Sequence, residues 1–123
     1  MKVLLDTHVI LWALGDDPRL KARHRALLQA GETELIASAA SIWEIEIKRA
    51  LGKLEAPDDV EGLLLASGCR PLPISWRHAR EAGRLPALHA DPFDRLLVAQ
   101  ARVEQLALVT TDAKIMAYEV QTI

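Results

Sequence analysis

Four acidic residues, Asp6, Glu44, Asp94 and Asp112, stand where a carboxylate is costly. Asp6 closes the apolar run Val3-Leu4-Leu5, and Asp112 follows Leu106-Ala107-Leu108-Val109-Thr110-Thr111. Such runs read as short, fully buried strands. In open α/β sheets, ligands gather beyond the carboxyl ends of the strands, which is where both aspartates would fall. Glu44 and Asp94 lie on helical segments beside apolar faces. Two carboxylates about 5 Å apart repel by roughly 3 kcal/mol at an effective dielectric of 20. Three or four such pairs would consume most of the roughly 5–15 kcal/mol that holds a fold together. Acids gathered in this way share protons or hold cations. With oxygen ligands and no His/Cys set at ligand spacing, the fitting ions are Mg²⁺ or Mn²⁺. That points to metal-dependent chemistry on phosphate.

Each acid also has a structural explanation. Asp91-Pro92 has the form of an N-cap followed by proline at the first helical position, which places Asp94 in the first turn, where an acid can bond back to the cap. Capping accounts fully for Asp91. Asp94, however, also shares a helical stripe with Leu97, Val98 and Ala101, all within about 60° of it at 100° per residue. Ser41-Ile42-Trp43-Glu44 matches a capping box, and Glu44 forms an (i, i+4) pair with Lys48; yet Ala40, Ile47 and Leu51 flank Glu44 on the wheel. Asp6 could cap the helix that follows it, although Thr7 could do so without a charge. Asp112 could cap a short helix too. Thr7, Thr110 and Thr111 could supply hydroxyls that orient carboxylates.

These acids must be positioned by elements that can also be read from the sequence. A strand at Lys2–Asp6 leads into a helix over His8–Leu14. Asp17-Pro18 opens a helix to about Ala30, and a strand near Glu34–Ala37 precedes a long helix, Ala39–Leu51, ended by Gly52. Pro57-Asp58 begins a helix to about Ala66; Arg70–Ile74 is extended. Ser75 caps a helix to about Gly83, and the loop 84–90 follows. The helix from Asp91-Pro92 runs to Gln105. The strand Leu106–Thr111, a short helix over Ala113–Tyr118 and a last strand, Glu119–Ile123, complete the chain. Strands alternating with helices imply βαβ units with right-handed crossovers and a parallel sheet covered on both faces. The expected fold class is α/β, a three-layer α/β/α sandwich.

The chain's 123 residues suit a single domain, 1–123, with a core that needs no staples. One cysteine, Cys69, cannot form an internal disulfide, and no apolar run approaches the length of a membrane span. A cytoplasmic protein is expected. A net charge of −2 excludes a generic polyanion binder, so any attraction to nucleic acid must be local. Basic groups occur as Arg19, Lys21, Arg23 and Arg25; as Lys48, Arg49 and Lys53; and as Arg77, Arg80, Arg84 and Arg95. Each set reads first as a solvated helix face. His8, His24, His78 and His89 lack metal-ligand spacing and read as ordinary hydrogen-bonding groups. Trp12, Trp43 and Trp76 read as core or interface anchors.

Leu4-Leu5-Asp6-Thr7-His8, Ser38-Ala39-Ala40-Ser41-Ile42-Trp43-Glu44-Ile45, Asp91-Pro92-Phe93-Asp94-Arg95-Leu96-Leu97-Val98-Ala99-Gln100-Ala101 and Val109-Thr110-Thr111-Asp112 occur in that order. Together they resemble the signature segments of PIN-domain ribonuclease toxins of the VapC type, over nearly the whole chain. The Asp-Pro-Phe-Asp-Arg segment is the most specific. The resemblance implies a five-stranded parallel sheet and Mg²⁺- or Mn²⁺-dependent endoribonuclease activity on RNA. It also implies a homodimer and neutralisation by a cognate antitoxin. The acidic site it implies is Asp6, Glu44, Asp94 and Asp112, with Asp6 and Asp94 as principal metal ligands and Thr7 lining the site. Asp91 stays open between cap and outer ligand.

Two other classes can be set against this. A phosphoreceiver domain is also small, α/β and acidic at strand ends. It needs paired acids after its first strand and an acceptor aspartate after its central one; here Thr7 follows Asp6, and Arg70–Ile74 offers no acceptor. A non-catalytic PIN-like module would only capture a partner, with no metal dependence.

Overall fold

Alternation of side chains along the strands accounts for the layering. The computed structural model describes residues 1–123. Strand β1 (Lys2–Leu5) sends Val3 and Leu5 to one face of a sheet and Leu4 to the other. β2 (Glu34–Ser38) divides Ala37 from Ile36, and β4 (Ala107–Val109) divides Ala107 and Val109 from Leu108, in the same way. With the short β3 (Arg70–Leu72) they form a four-stranded sheet in the order β3-β2-β1-β4, every pair parallel. Because both faces carry apolar side chains, both must be covered by helices.

One apolar layer packs Val9 and Ile10 of α1 (Thr7–Leu14), Leu27 and Leu28 of α2 (Ala22–Gln29), Ile45 of α3 (Ala39–Ala50) and Leu64 of α4 (Val60–Ala66) against the first face. The other packs Ala40 of α3, Leu85 after α5 (Trp76–Arg84), Leu97, Val98 and Ala101 of α6 (Pro92–Glu104) and Ile115 of α7 (Ala113–Met116). The result is the expected three-layer α/β/α arrangement. The chain leaves β1 toward β2 and β3, then returns to β4 on the opposite side of β1. The switch point between β1 and β4 is therefore where a ligand crevice opens.

Several elements differ from expectation. The sheet has four strands, where five were expected. Residues 117–120 turn and bend after α7, so the strand expected over Glu119–Ile123 reduces to one parallel bridge between Leu108 and Thr122. Asp17-Pro18 does not open a helix. The Asp17 carboxylate is taken by the Arg19 backbone N–H (2.9 Å) and guanidinium (2.8 Å), and α2 starts only at Ala22. Helix α4 begins at Val60 because Asp59, rather than Asp58, caps it by accepting from Gly62 N–H. Gly52 ends α3 as expected, with φ at +68°. Trp12 packs against the first apolar layer, but Trp43 and Trp76 are not core residues, being 58 % and 95 % exposed. No helix is long and apolar enough to cross a membrane.

Arg95, expected on a solvated face, does structural work. Its Nη1 donates to the Pro86 carbonyl (3.0 Å) and Nη2 to the carbonyls of Ala82 (2.8 Å) and Leu85 (3.2 Å). The Tyr118 hydroxyl reaches the His89 carbonyl at 3.3 Å and accepts from Arg95 at 3.2 Å. One planar guanidinium thus ties the end of α5 and the loop 85–90 to the first turn of α6. An ammonium cannot reproduce that fork. Arg95→Lys is expected to cost about 1–3 kcal/mol and to speed amide exchange across residues 85–90. Unchanged melting and unchanged exchange would show that the clamp contributes nothing.

Candidate metal centre

Asp6 directly follows β1 and is 2 % exposed. It stands at the N-cap position of α1, yet its side chain makes no capping hydrogen bond. Instead, Oδ2 accepts from the Thr110 hydroxyl at 2.9 Å, and Oδ1 is buried with no partner. The same Thr110 oxygen accepts from the Asp112 backbone N–H at 3.0 Å. One hydroxyl beyond β4 therefore latches Asp6 to the turn that carries Asp112. Burial holds the Asp6 carboxyl above its ordinary range, against the Thr110 hydrogen bond, which lowers it.

Glu44 is 2 % exposed on α3. The capping-box expectation for Ser41–Glu44 does not hold, because Ser38 is the cap and accepts from Ala40 N–H at 3.0 Å. Ser41 lies inside the helix, where its oxygen accepts from the Thr7 hydroxyl at 2.9 Å. Freed from capping, Glu44 takes Lys48 Nζ on Oε2 at 2.6 Å, while Oε1 is buried without a partner. Lys48 is raised above the ordinary lysine range, first by this hydrogen bond; the nearby charges of Asp91 and Asp94 act in the same direction.

Asp91 caps α6 by accepting from the N–H groups of Phe93 (2.9 Å) and Asp94 (3.0 Å). Asp94 does not bond back to that cap. Its Oδ2 lies 2.8 Å from His89 Nε2, and both side chains are largely buried. Its carboxyl is raised to about 6, mainly by burial, with further push from the charges of Asp91, Asp6 and Glu44. Asp94 thus feels Asp6 and Glu44 directly, from two other elements of the fold. Asp112 caps α7 through Lys114 N–H at 2.9 Å. Ligand atoms of His89, Asp94 and Asp112 all lie within 4.8 Å of one another.

The acids read from the sequence lie at one end of the sheet: Asp112 stands with His89 against Asp94, while Asp6 and Glu44 lie outside that close trio and act on Asp94 through their charges. His89 is the group that the sequence reading missed. It lies on a loop with no periodic signal, five residues before Asp94, and reaches it only because Arg95 and Tyr118 hold the His89 carbonyl. The other buried histidines behave as expected: His24 meets the Ile123 carbonyl and His78 meets Glu104.

The donor set fits a hard divalent cation. Two buried carboxylate oxygens on separate elements, Asp6 Oδ1 and Glu44 Oε1, have no hydrogen-bond partner, and an unpartnered buried charge is expensive. Asp94 adds a third oxygen donor, which burial first and the neighbouring acids second push toward protonation. His89 Nε2 adds a nitrogen, which Mn²⁺ accepts more readily than Mg²⁺.

The PIN domain family model matches residues 3–120, and the chain belongs to that family. Similar folds occur in solved structures of toxin–antitoxin complexes. VapBC2 from Rickettsia felis, bound to a DNA fragment from its promoter, has a chain 16 % identical with TM-score 0.72, over 100 % of this chain and 98 % of that one. A toxin–antitoxin complex from Klebsiella pneumoniae gives 17 % and 0.68, over 98 % and 95 %. VapBC-1 from nontypeable Haemophilus influenzae gives 19 % and 0.68, over 100 % and 97 %. Among curated proteins, none matches this sequence significantly.

The raised carboxyls make metal-free stability depend on pH. An unfolded aspartate loses its proton near 3.8, the folded Asp94 only near 6, so the folded state is at its best below the first value and loses stability as pH rises through the second. The loss is about 3 kcal/mol, and Asp6 adds to it with the same sign. In chelator, melting temperature should fall by several degrees between about pH 4 and pH 7, and Asp94→Asn should remove much of the slope. Parallel pH profiles for the two proteins would contradict the assignment.

Proposed function

We propose that this chain is a divalent-cation-dependent endoribonuclease of the VapC type, the toxin of a toxin–antitoxin pair. One observation carries the reading: Asp6 and Glu44 each turn a buried, unpartnered oxygen loose beside an Asp94 that resists ionisation. Asp6, Glu44 and Asp94 hold the ion, Mg²⁺ or Mn²⁺, and Asp112 completes the set against Asp94. When bound, such an ion lowers the pKa of a water and neutralises charge on a scissile phosphate.

The chain's own residues do the positioning. Thr110 fixes Asp6, and the Thr7–Ser41 hydrogen bond holds the start of α1 against α3. Lys48 keeps one Glu44 oxygen occupied, leaving the other for the site. His89 Nε2 stands where it can pass a proton to or from Asp94 Oδ2. A single-stranded loop is the target, because duplex RNA hides its base edges. The chain works in the cytoplasm as a homodimer.

The similar structures are of toxin–antitoxin complexes, which supports a cognate antitoxin as partner. An apolar groove of about 720 Å³ between α3, α4 and β3, lined by Ile42, Trp43, Leu64, Leu65 and Leu72, is a fitting seat for an antitoxin's apolar segment.

The test is cleavage of a structured RNA with Mg²⁺ or Mn²⁺. Asp6→Asn and Asp94→Asn are each expected to cut at least a hundredfold more slowly, and chelator should stop wild-type cutting. Undiminished cutting by either folded variant would refute the site. Tight antitoxin binding with no metal-dependent cleavage would leave a partner-binding module instead.

A further inference from the structure

Helix α5 carries a feature that the acid site does not use. At 100° per residue, Trp76, Arg77, Arg80 and Arg84 fall within an arc of about 100°, and all four are exposed. His78, buried, and Ala82 turn to the opposite side, toward α6. Most arginines elsewhere are engaged. Arg19, Arg25, Arg49 and Arg70 pair with acids, and Arg95 is spent on carbonyls. Arg77, Arg80 and Arg84 form no ion pair, and Glu81, at the margin of their arc, forms none with them. Arg84 sits favourably at the negative end of the helix dipole, but that explains neither Arg77 nor Arg80. The helix ends by feeding directly into the loop that brings His89 to Asp94.

We propose that this face of α5 is the track along which a single-stranded RNA is held as it enters the acidic site, its phosphates on Arg77, Arg80 and Arg84 and a base stacked on Trp76. The proposal rests on the nuclease reading above. A polyanion must approach a cluster of carboxylates on a chain whose net charge is −2. The attraction has to come from local unpaired cations. Those of α5 run from Arg84, where the helix meets the loop carrying His89, back to Arg77 at its start, next to His78, which meets Glu104 at the far end of α6. Guanidinium groups suit phosphate. An indole that is 95 % exposed has no packing role, and base–aromatic stacking tolerates any sequence.

The experiment is anisotropy with a labelled single-stranded RNA of mixed sequence, in chelator so that nothing is cut, across a salt series. Neutralising three phosphate contacts changes the slope of log affinity against log salt by about 2 on a single strand. The triple variant Arg77→Gln/Arg80→Gln/Arg84→Gln should lose that slope and at least tenfold in affinity, equally for unrelated sequences. The triple Arg→Lys variant should keep the slope. Lys21→Gln/Arg23→Gln, on another element, should keep both slope and affinity. Trp76→Ala should weaken binding severalfold with the slope unchanged. Thermal melts check that each variant is folded. A triple Gln variant with wild-type slope overturns the track, as does one that loses polyglutamate binding while keeping RNA, which would mark an acidic protein surface instead. Wild-type affinity in Trp76→Ala removes the stacking role. If Asp94→Asn cuts normally while the triple Gln variant loses its slope, the acid site fails and the track stands.

Discussion

Carboxylates withdrawn from water and placed beside one another set the terms for this molecule. Asp6 and Glu44 are almost wholly buried, and Asp94 is driven toward protonation by burial and by its acidic neighbours. Nothing in packing alone favours that arrangement, so the fold must impose it. It does so with a parallel sheet whose β1 and β4 end side by side, with one threonine hydroxyl shared between the two strand ends, and with Lys48 as a cation already attached to the chain. The apolar layers on both faces of the sheet provide the stability against which this local cost is set.

How much of this could be read beforehand depends on whether the cause is local. The apolar runs ending in Asp6 and leading to Asp112 announce buried strands, and Asp91-Pro92 announces a helix start; all three hold. The same two-residue signature at Asp17-Pro18 fails because Arg19 claims the carboxylate from two positions away. The Ser41–Glu44 spacing fits a capping box, but Ser38 sits at the strand end and takes that role first. His89 and Arg95 had no local signal at all. Their roles arise from a loop closing over the end of a helix, which is a tertiary event. The fifth strand shrank to a bridge where the chain turns and bends after α7.

The arginines divide by environment in a way that charge counting hides. Arg49 bonds to the carbonyls of Ala56 and Pro57 and pairs with Glu46, and Arg95 gathers carbonyls from the end of α5 and the loop beyond it. Both act as struts inside the protein. Those of α5 face water with no partner. Side chains of one type, similar in sequence context, are therefore committed either to holding the fold or to meeting something outside it.

The position of β1 between β2 and β4 has a last consequence. Asp6 and Glu44 come from the first half of the chain, His89, Asp94 and Asp112 from the second, and the seam joining them is the β1–β4 ladder with its threonine latch. Neither half carries all five groups. Divided in the exposed stretch after α3, the polypeptide would yield two fragments that each lack part of the acidic cluster, and reassembly of the cluster would report their reunion.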